Sequence, residues 1–284
     1  MPEVRLRGGE VDGLALHYIV EGSGGPPVIL VHGLGGFAES WRHNVLALAR
    51  RSQIFAIDLP GYGRSAKPRR SYDLGFFART VFGFMDTLGL GQVSLVGHSL
   101  GGAVAVTCAL THPSRIERLC LLGPLIPGVA YQPPAIYRAL ALRGVGEVLA
   151  LFGHARIYKA ALARCFHAPQ AAEVDFLVEF AHAARTTPEA RAAYLATLRH
   201  VQRDFVDRAS AYQRALATLE APVLLIQGHG DPVVPAAHVA SAADTFPRAT
   251  TRWIDACGHF PQIERAAVVN AWMADFLSGR PAAL

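Results

Sequence analysis

Three short apolar runs, Val28 to Val31, Ile54 to Ile57 and Val93 to Val96, constrain this chain more than any other feature. None alternates with polar residues, and each stops at a loop: His32–Gly36, Asp58–Gly63 and Gly97–Gly101. A strand without alternation is covered on both faces. Covering it takes helices on both sides of a mostly parallel sheet. The intervening segments supply them. Leu74 to Leu88 has apolar residues at helical spacing, and Leu100 to Leu110 is Ala-rich until His112-Pro113.

The same alternation runs through the rest of the chain. Strands are predicted at Val4–Arg7 and Leu14–Val20, with the turn-forming Asp12-Gly13 between them. Ser40 is placed to cap a helix running to Arg50. Ile116–Leu122 reads as a sixth strand. Then the pattern changes: from Leu125 to Leu219 there is no strand signal, only Ala, Leu and Arg with aromatic residues at helical intervals. Strands return at Pro222–Gln227 and Thr250–Ile254, with helices at His238–Thr245 and Ile263–Leu277. The expected fold class is therefore α/β, a mostly parallel eight-stranded sheet flanked by helices. Residues 1–124 and 220–284 would form the core domain, and 125–219 a helical insertion after strand six. A chain of 284 residues can build one such domain.

Composition narrows the function classes. Hydrophobic residues are 51% and charged residues 17%, which is globular rather than disordered. The net charge of +5 is scattered, and the densest cluster, Lys67-Pro68-Arg69-Arg70, lacks interleaved stacking residues, so no nucleic-acid partner is expected. Cys108, Cys120, Cys165 and Cys257 lie far apart without a CxxC pair. Twelve histidines form no H-E-x-x-H, and no metal or other cofactor is expected. The N-terminus has no apolar signal region and no run reaches the length of a membrane span. The expectation is a soluble, cytoplasmic protein acting on a small molecule.

The chemistry centres on Gly97-His98-Ser99-Leu100-Gly101, a G-x-S-x-G sequence between a predicted strand and a predicted helix. Its sharp turn lifts the serine hydroxyl clear, and small flanking residues avoid a backbone clash. Serine needs a base to take its proton, and His259 follows a predicted strand. The base needs an orienting carboxylate. Asp231, in Gly228-His229-Gly230-Asp231-Pro232, also follows a strand. In such sheets the C-terminal strand ends face one crevice, where all three can converge. The backbone N–H groups of Leu34 and Leu100 are the candidate oxyanion donors. His32 is expected to hold its own loop by hydrogen bonding. Gly61-Tyr62-Gly63-Arg64-Ser65-Ala66 matches a dinucleotide fingerprint, but Pro60 and Pro68 interrupt the required strand–helix context. Asp255 and Glu264 are read as structural.

Together, His32–Gly36, Asp58–Ser65, Gly97–Gly102, Gly228–Pro235 and Gly258-His259 resemble the α/β-hydrolase superfamily, in its capped branch of serine esterases and lipases. The resemblance implies that the insertion is a helical cap over the active site. Some relatives place the triad acid after strand six, but Gly123-Pro124-Leu125-Ile126-Pro127 offers no carboxylate, which leaves Asp231. The resemblance implies ester hydrolysis through an acyl-enzyme on Ser99, with a hydrophobic acyl or aromatic substrate. Cap aromatics (Phe152, Tyr158, Phe166, Phe176, Phe180, Tyr194) read mostly as core, with some expected to line the pocket. Ring-cleavage carbon–carbon hydrolases usually carry Asn before the serine and Trp after the histidine, where this chain has His98 and Phe260. Thioesterase and lactonase chemistry use the same parts. A non-hydrolytic receptor and a cofactor-free cyclase are the rivals from other classes.

Overall fold

In a computed structural model, which describes residues 2–151, 155–183 and 186–279, the alternation becomes one eight-stranded sheet. Its strands are β1 (Glu3–Arg5), β2 (Ala15–Glu21), β3 (Pro27–Val31), β4 (Gln53–Ile57), β5 (Val93–His98), β6 (Ile116–Leu122), β7 (Val223–Gly228) and β8 (Ala249–Ile254). They lie in the order β1-β2-β4-β3-β5-β6-β7-β8. β1 and β2 pair antiparallel, as do β2 and β4, while the remaining pairs are parallel.

The helices are α1 (Val45–Leu48), α2 (Leu74–Thr87) and α3 (Leu100–Thr111). Between β6 and β7 come α4 (Ala135–Ala141), α5 (Val145–Leu151), α6 (Ala155–Ala163), α7 (Ala171–Ala183), α8 (Pro188–Asp207) and α9 (Ala209–Leu216). After β7 follow α10 (Ala236–Ala243), α11 (Pro261–Glu264) and α12 (Ala266–Leu277). The period of two along the strands divides the core. Ile29 and Val31 pack with α2 and α3 on one face, and Val28 and Leu30 pack with α1 and α12 on the other. Local chemistry sets the helix starts: Asp73 caps α2 by accepting the Phe76 N–H at 2.7 Å.

Register aligns the C-terminal strand ends. Val31 pairs with Gly97, His98 with Leu122, Leu122 with Ile226 and Gly228 with Ile254. Every loop singled out in the sequence leaves the sheet along this edge. A third apolar cluster lies above it. There Phe37, from the turn after β3, packs with Leu162, Phe166, Val174 and Leu177 of the α6–α7 region and with Ile263.

Two expected elements differ. The helix expected from Ser40 to Arg50 is instead a 3-10 turn (Ala38–Trp41) followed by α1. Ser40 lies inside that turn, and its hydroxyl donates to the Phe37 carbonyl at 2.6 Å instead of capping a helix. The last helix is broken at Arg265 (φ −132°, ψ 38°), which separates α11 from α12. Among the described residues no helix is long and apolar enough to cross a membrane, and no group of three His, Cys, Asp or Glu could hold a metal ion.

Candidate active site

Ser99 sits between β5 and α3 at φ 53°, ψ −116°, a left-handed conformation that side-chain-bearing residues rarely adopt. Backbone bonds hold it there. Its N–H donates to Leu122 (3.0 Å), and its carbonyl accepts from Gly102 (2.9 Å) and Leu125 (3.0 Å). The elbow has no room for larger neighbours: a Cβ on Gly97 would strike the Gly101 carbonyl, and one on Gly101 would strike that of Val31.

Asp231 and His259 pair with each other. His259 Nδ1 lies 2.8 Å from Asp231 Oδ2. The other Asp231 oxygen accepts the N–H groups of Val233 (2.8 Å) and Val234 (2.9 Å). Gln227, fully buried on β7, donates to Oδ2 at 3.2 Å. Burial by itself would raise the Asp231 carboxyl. The charge and hydrogen bond of His259, with the two valine amides, outweigh it and hold the group below the usual carboxylate range. The ionised acid therefore accepts the Nδ1 proton, so that in the neutral imidazole Nε2 is the nitrogen able to accept one.

His98 ties the elbow to the histidine loop. Its Nε2 donates to the His259 carbonyl at 2.7 Å, and its ring lies 4.8 Å from the His259 ring and 5.1 Å from that of Phe260. Gly123, following β6, completes the convergence, since a Cβ there would lie 3.3 Å from both Asp231 Oδ2 and His259 Nδ1. Ser99 (6% exposed), His259 (5%) and Asp231 (9%) are all closed off from bulk water.

Leu34 lies in the tight turn closed by Gly36 N–H to Gly33 carbonyl (2.9 Å), and Leu100 opens α3. Among the described residues neither amide donates to a protein acceptor. The first N–H groups of a helix have no intrahelical partner and favour negative charge nearby. His32 holds the loop, as its reading predicted. Its Nε2 accepts the Leu59 N–H (3.0 Å), so Nδ1 donates to the Gly33 carbonyl (2.8 Å). Asp58 braces the next turn by accepting from Ala38 (2.6 Å) and Arg64 (2.8 Å).

Asp255 lies at the surface, 3.8 Å from His229. Of the aromatics singled out in residues 125–219, Phe166 stacks on Phe260 at 4.8 Å and Phe180 on Phe37 at 5.0 Å. Tyr158 and Phe176 join the same cluster, Tyr194 packs on the main core, and Phe152 lies outside the described residues. Arg42 reaches Glu173 on α7 with its guanidinium 3.6 Å above Phe176. Sequence reasoning missed Gln227, whose only signal was a polar residue ending an apolar strand. It also missed the part that His98 plays in holding the His259 loop.

Histidines with depressed pKa values give the fold a pH signature. Burial lowers His98 to about 3 and His32 to about 4 from 6.5, and lowers His17, His200 and His238 as well. Each depressed group stabilises the fold fully above its unfolded value, and that stability is lost as pH falls toward the folded value. The lowered Asp231 acts in the same sense. Asp58, raised by burial from 3.8 to about 6, and the raised Asp204 oppose them, gaining stability as pH falls. The histidines outnumber the opposing carboxyls, so the urea midpoint is expected to drop from about pH 7 to about pH 4. A level or rising midpoint would contradict this balance.

A family model described as the alpha/beta hydrolase fold matches residues 26–266. The chain is 32% identical over 284 residues to the dihydrolipoyllysine-residue acetyltransferase component of the acetoin cleaving system of Pseudomonas putida, covering 94% of this chain and 68% of that one. It is 30% identical over 283 residues to a 2-hydroxy-6-oxononadienedioate/2-hydroxy-6-oxononatrienedioate hydrolase of Burkholderia vietnamiensis, covering 93% and 91%. Among solved structures, the 2-hydroxy-6-oxo-6-phenylhexa-2,4-dienoate hydrolase of Rhodococcus sp. strain RHA1 superposes with a TM-score of 0.82 at 24% identity, covering 96% and 97%.

Proposed function

We propose that this chain, which belongs to the α/β-hydrolase family, hydrolyses carboxylic esters of a hydrophobic acyl or aromatic substrate through an acyl-enzyme on Ser99. The observation that carries the reading is the buried Asp231–His259 pair, at 2.8 Å, tied by His98 to the strained serine elbow.

His259 Nε2 takes the Ser99 proton as the oxygen attacks the ester carbonyl. The amides of Leu34 and Leu100 receive the developing oxyanion, each lowering the barrier by about 3 kcal/mol. Asp231 fixes the tautomer and balances the imidazolium. His259 then gives its proton to the leaving alcohol, and water, activated by the same histidine, releases the acid. The burial of all three side chains supports reading residues 125–219 as a cap over a core of 1–124 and 220–284. The Ala- and Leu-rich composition of residues 125–219 supports an apolar substrate.

A second reading is hydrolysis of a carbon–carbon bond in a ring-cleavage diketone. The relative named as a 2-hydroxy-6-oxononadienedioate hydrolase favours it. His98 and Phe260, standing where such hydrolases usually carry Asn and Trp, favour the ester. The test measures kcat/KM on p-nitrophenyl esters of increasing chain length and on 2-hydroxy-6-oxo-6-phenylhexa-2,4-dienoate. A larger value on an ester, with fluorophosphonate labelling lost in Ser99→Ala, is the expected result. A larger value on the dienoate would replace the first reading with the second.

A further inference from the structure

The His259 loop is also anchored by residues with no role in the reaction described above. The His259 N–H donates to the carbonyl of Cys165, in the segment joining α6 to α7, at 2.7 Å. Next to it, Phe166 stacks on Phe260. Between the two segments stands the Glu264 carboxylate. One oxygen accepts the Gly258 N–H and the other accepts the His167 N–H, both at 2.8 Å.

From these contacts we propose that Glu264 is a positioning residue that locks His259 to the α6–α7 segment, so that the helical insertion forms part of the mount of the base. The proposal rests on the reading of His259 as that base. The two segments meet backbone to backbone. A Cβ on Gly258 would strike the Cys165 carbonyl and lie 2.9 Å from the His167 nitrogen and 3.0 Å from Glu264 Oε1. The carboxylate at the seam adds two bonds to the His259–Cys165 bond and the Phe166–Phe260 stack that already join them. The loop also stores strain. Ala256 sits at φ 49°, and Arg265 holds its carbonyl at 2.6 Å. A strained loop keeps one geometry only while its ties are intact. Charge-assisted bonds to two amides are the strong kind of tie. Glu264 and Arg265 both turn back to the loop before α12 begins.

Glu264→Gln leaves one acceptor oxygen where two amides need one each, so either Gly258 or His167 loses its partner. With p-nitrophenyl butyrate as the probe, kcat is expected to fall about 10- to 100-fold while KM stays within about twofold, the signature of a displaced base rather than a lost binding contact. Glu264→Asp keeps both oxygens on a shorter arm and is expected to lie between the two. It decides the matter if the Gln variant does not fold. A second readout needs no substrate: the far-downfield proton resonance of the His259–Asp231 hydrogen bond is expected to weaken or vanish in Glu264→Gln. Wild-type kcat with an unchanged resonance would overturn the proposal. If the wild type shows no Ser99-dependent ester turnover, the functional reading fails, while the resonance still decides whether Glu264 holds the histidine.

Discussion

Ser99→Ala is expected to lower kcat on p-nitrophenyl butyrate by about 10⁵-fold, or about 7 kcal/mol of barrier, while the folded state is nearly unchanged. The size of the loss follows from what remains. In the proposed mechanism the amides of Leu34 and Leu100 still receive the oxyanion, but water must attack without a covalent intermediate. The fold survives because the elbow is held by backbone bonds from Ser99 to Leu122, Gly102 and Leu125, none of which uses the hydroxyl. Alanine must adopt the same left-handed conformation, at a cost of about 1 kcal/mol that serine already bears. Stopped-flow burst kinetics provide the check: the wild type should release one equivalent of nitrophenol ahead of the steady state, and the variant none. Retained turnover in Ser99→Ala, with loss in His259→Ala, would instead mean that the His–Asp pair works without a serine nucleophile, as in a cofactor-free cyclase. Saturable binding with no turnover in the wild type would mean a receptor.

Features that depend on neighbours in sequence were readable before any coordinates. The unalternating runs at Val28, Ile54 and Val93 are buried parallel strands because both their faces carry helices. The elbow was legible because its glycines and serine are contiguous. Asp231 and His259 were legible because each follows a strand whose end must reach the same edge. The departures have local causes. Ser40 looked like a helix cap, yet a hydroxyl can also donate to a nearby carbonyl, and here the Phe37 carbonyl takes it. The break at Arg265 has no proline or glycine to announce it; the Glu264 side chain just before it is held by the amides of Gly258 and His167. The second of those partners is 97 residues away, a separation that periodicity and capping rules do not address. Glu264, read from sequence as structural, accepts the backbone amides of Gly258 and His167.

Asp231→Asn is expected to lower kcat by about 10⁴-fold at neutral pH while leaving KM nearly unchanged. The argument is one of tautomers, and the surroundings of Asp231 force the outcome. The amides of Val233 and Val234 both donate to Oδ1, so an asparagine must keep its single oxygen there. Its NH₂ group then replaces Oδ2, facing His259 Nδ1 and the amide of Gln227. Flipping the asparagine would rescue the histidine bond only by aiming two donors at two valine N–H groups. With NH₂ facing it, Nδ1 must accept rather than donate, and the imidazole proton moves to Nε2. A protonated Nε2 cannot take the Ser99 proton, so the nucleophile goes unactivated although every heavy atom keeps its place. Nitrogen-15 chemical shifts of His259 would check this by reporting the exchange of tautomers, with kcat measured on the same samples. A variant with the tautomer reversed but kcat intact would remove His259 from the role of base. Intact kcat with the tautomer unchanged would mean that Gln227 or a rearranged amide preserves the acceptor, which a structure of the variant would reveal.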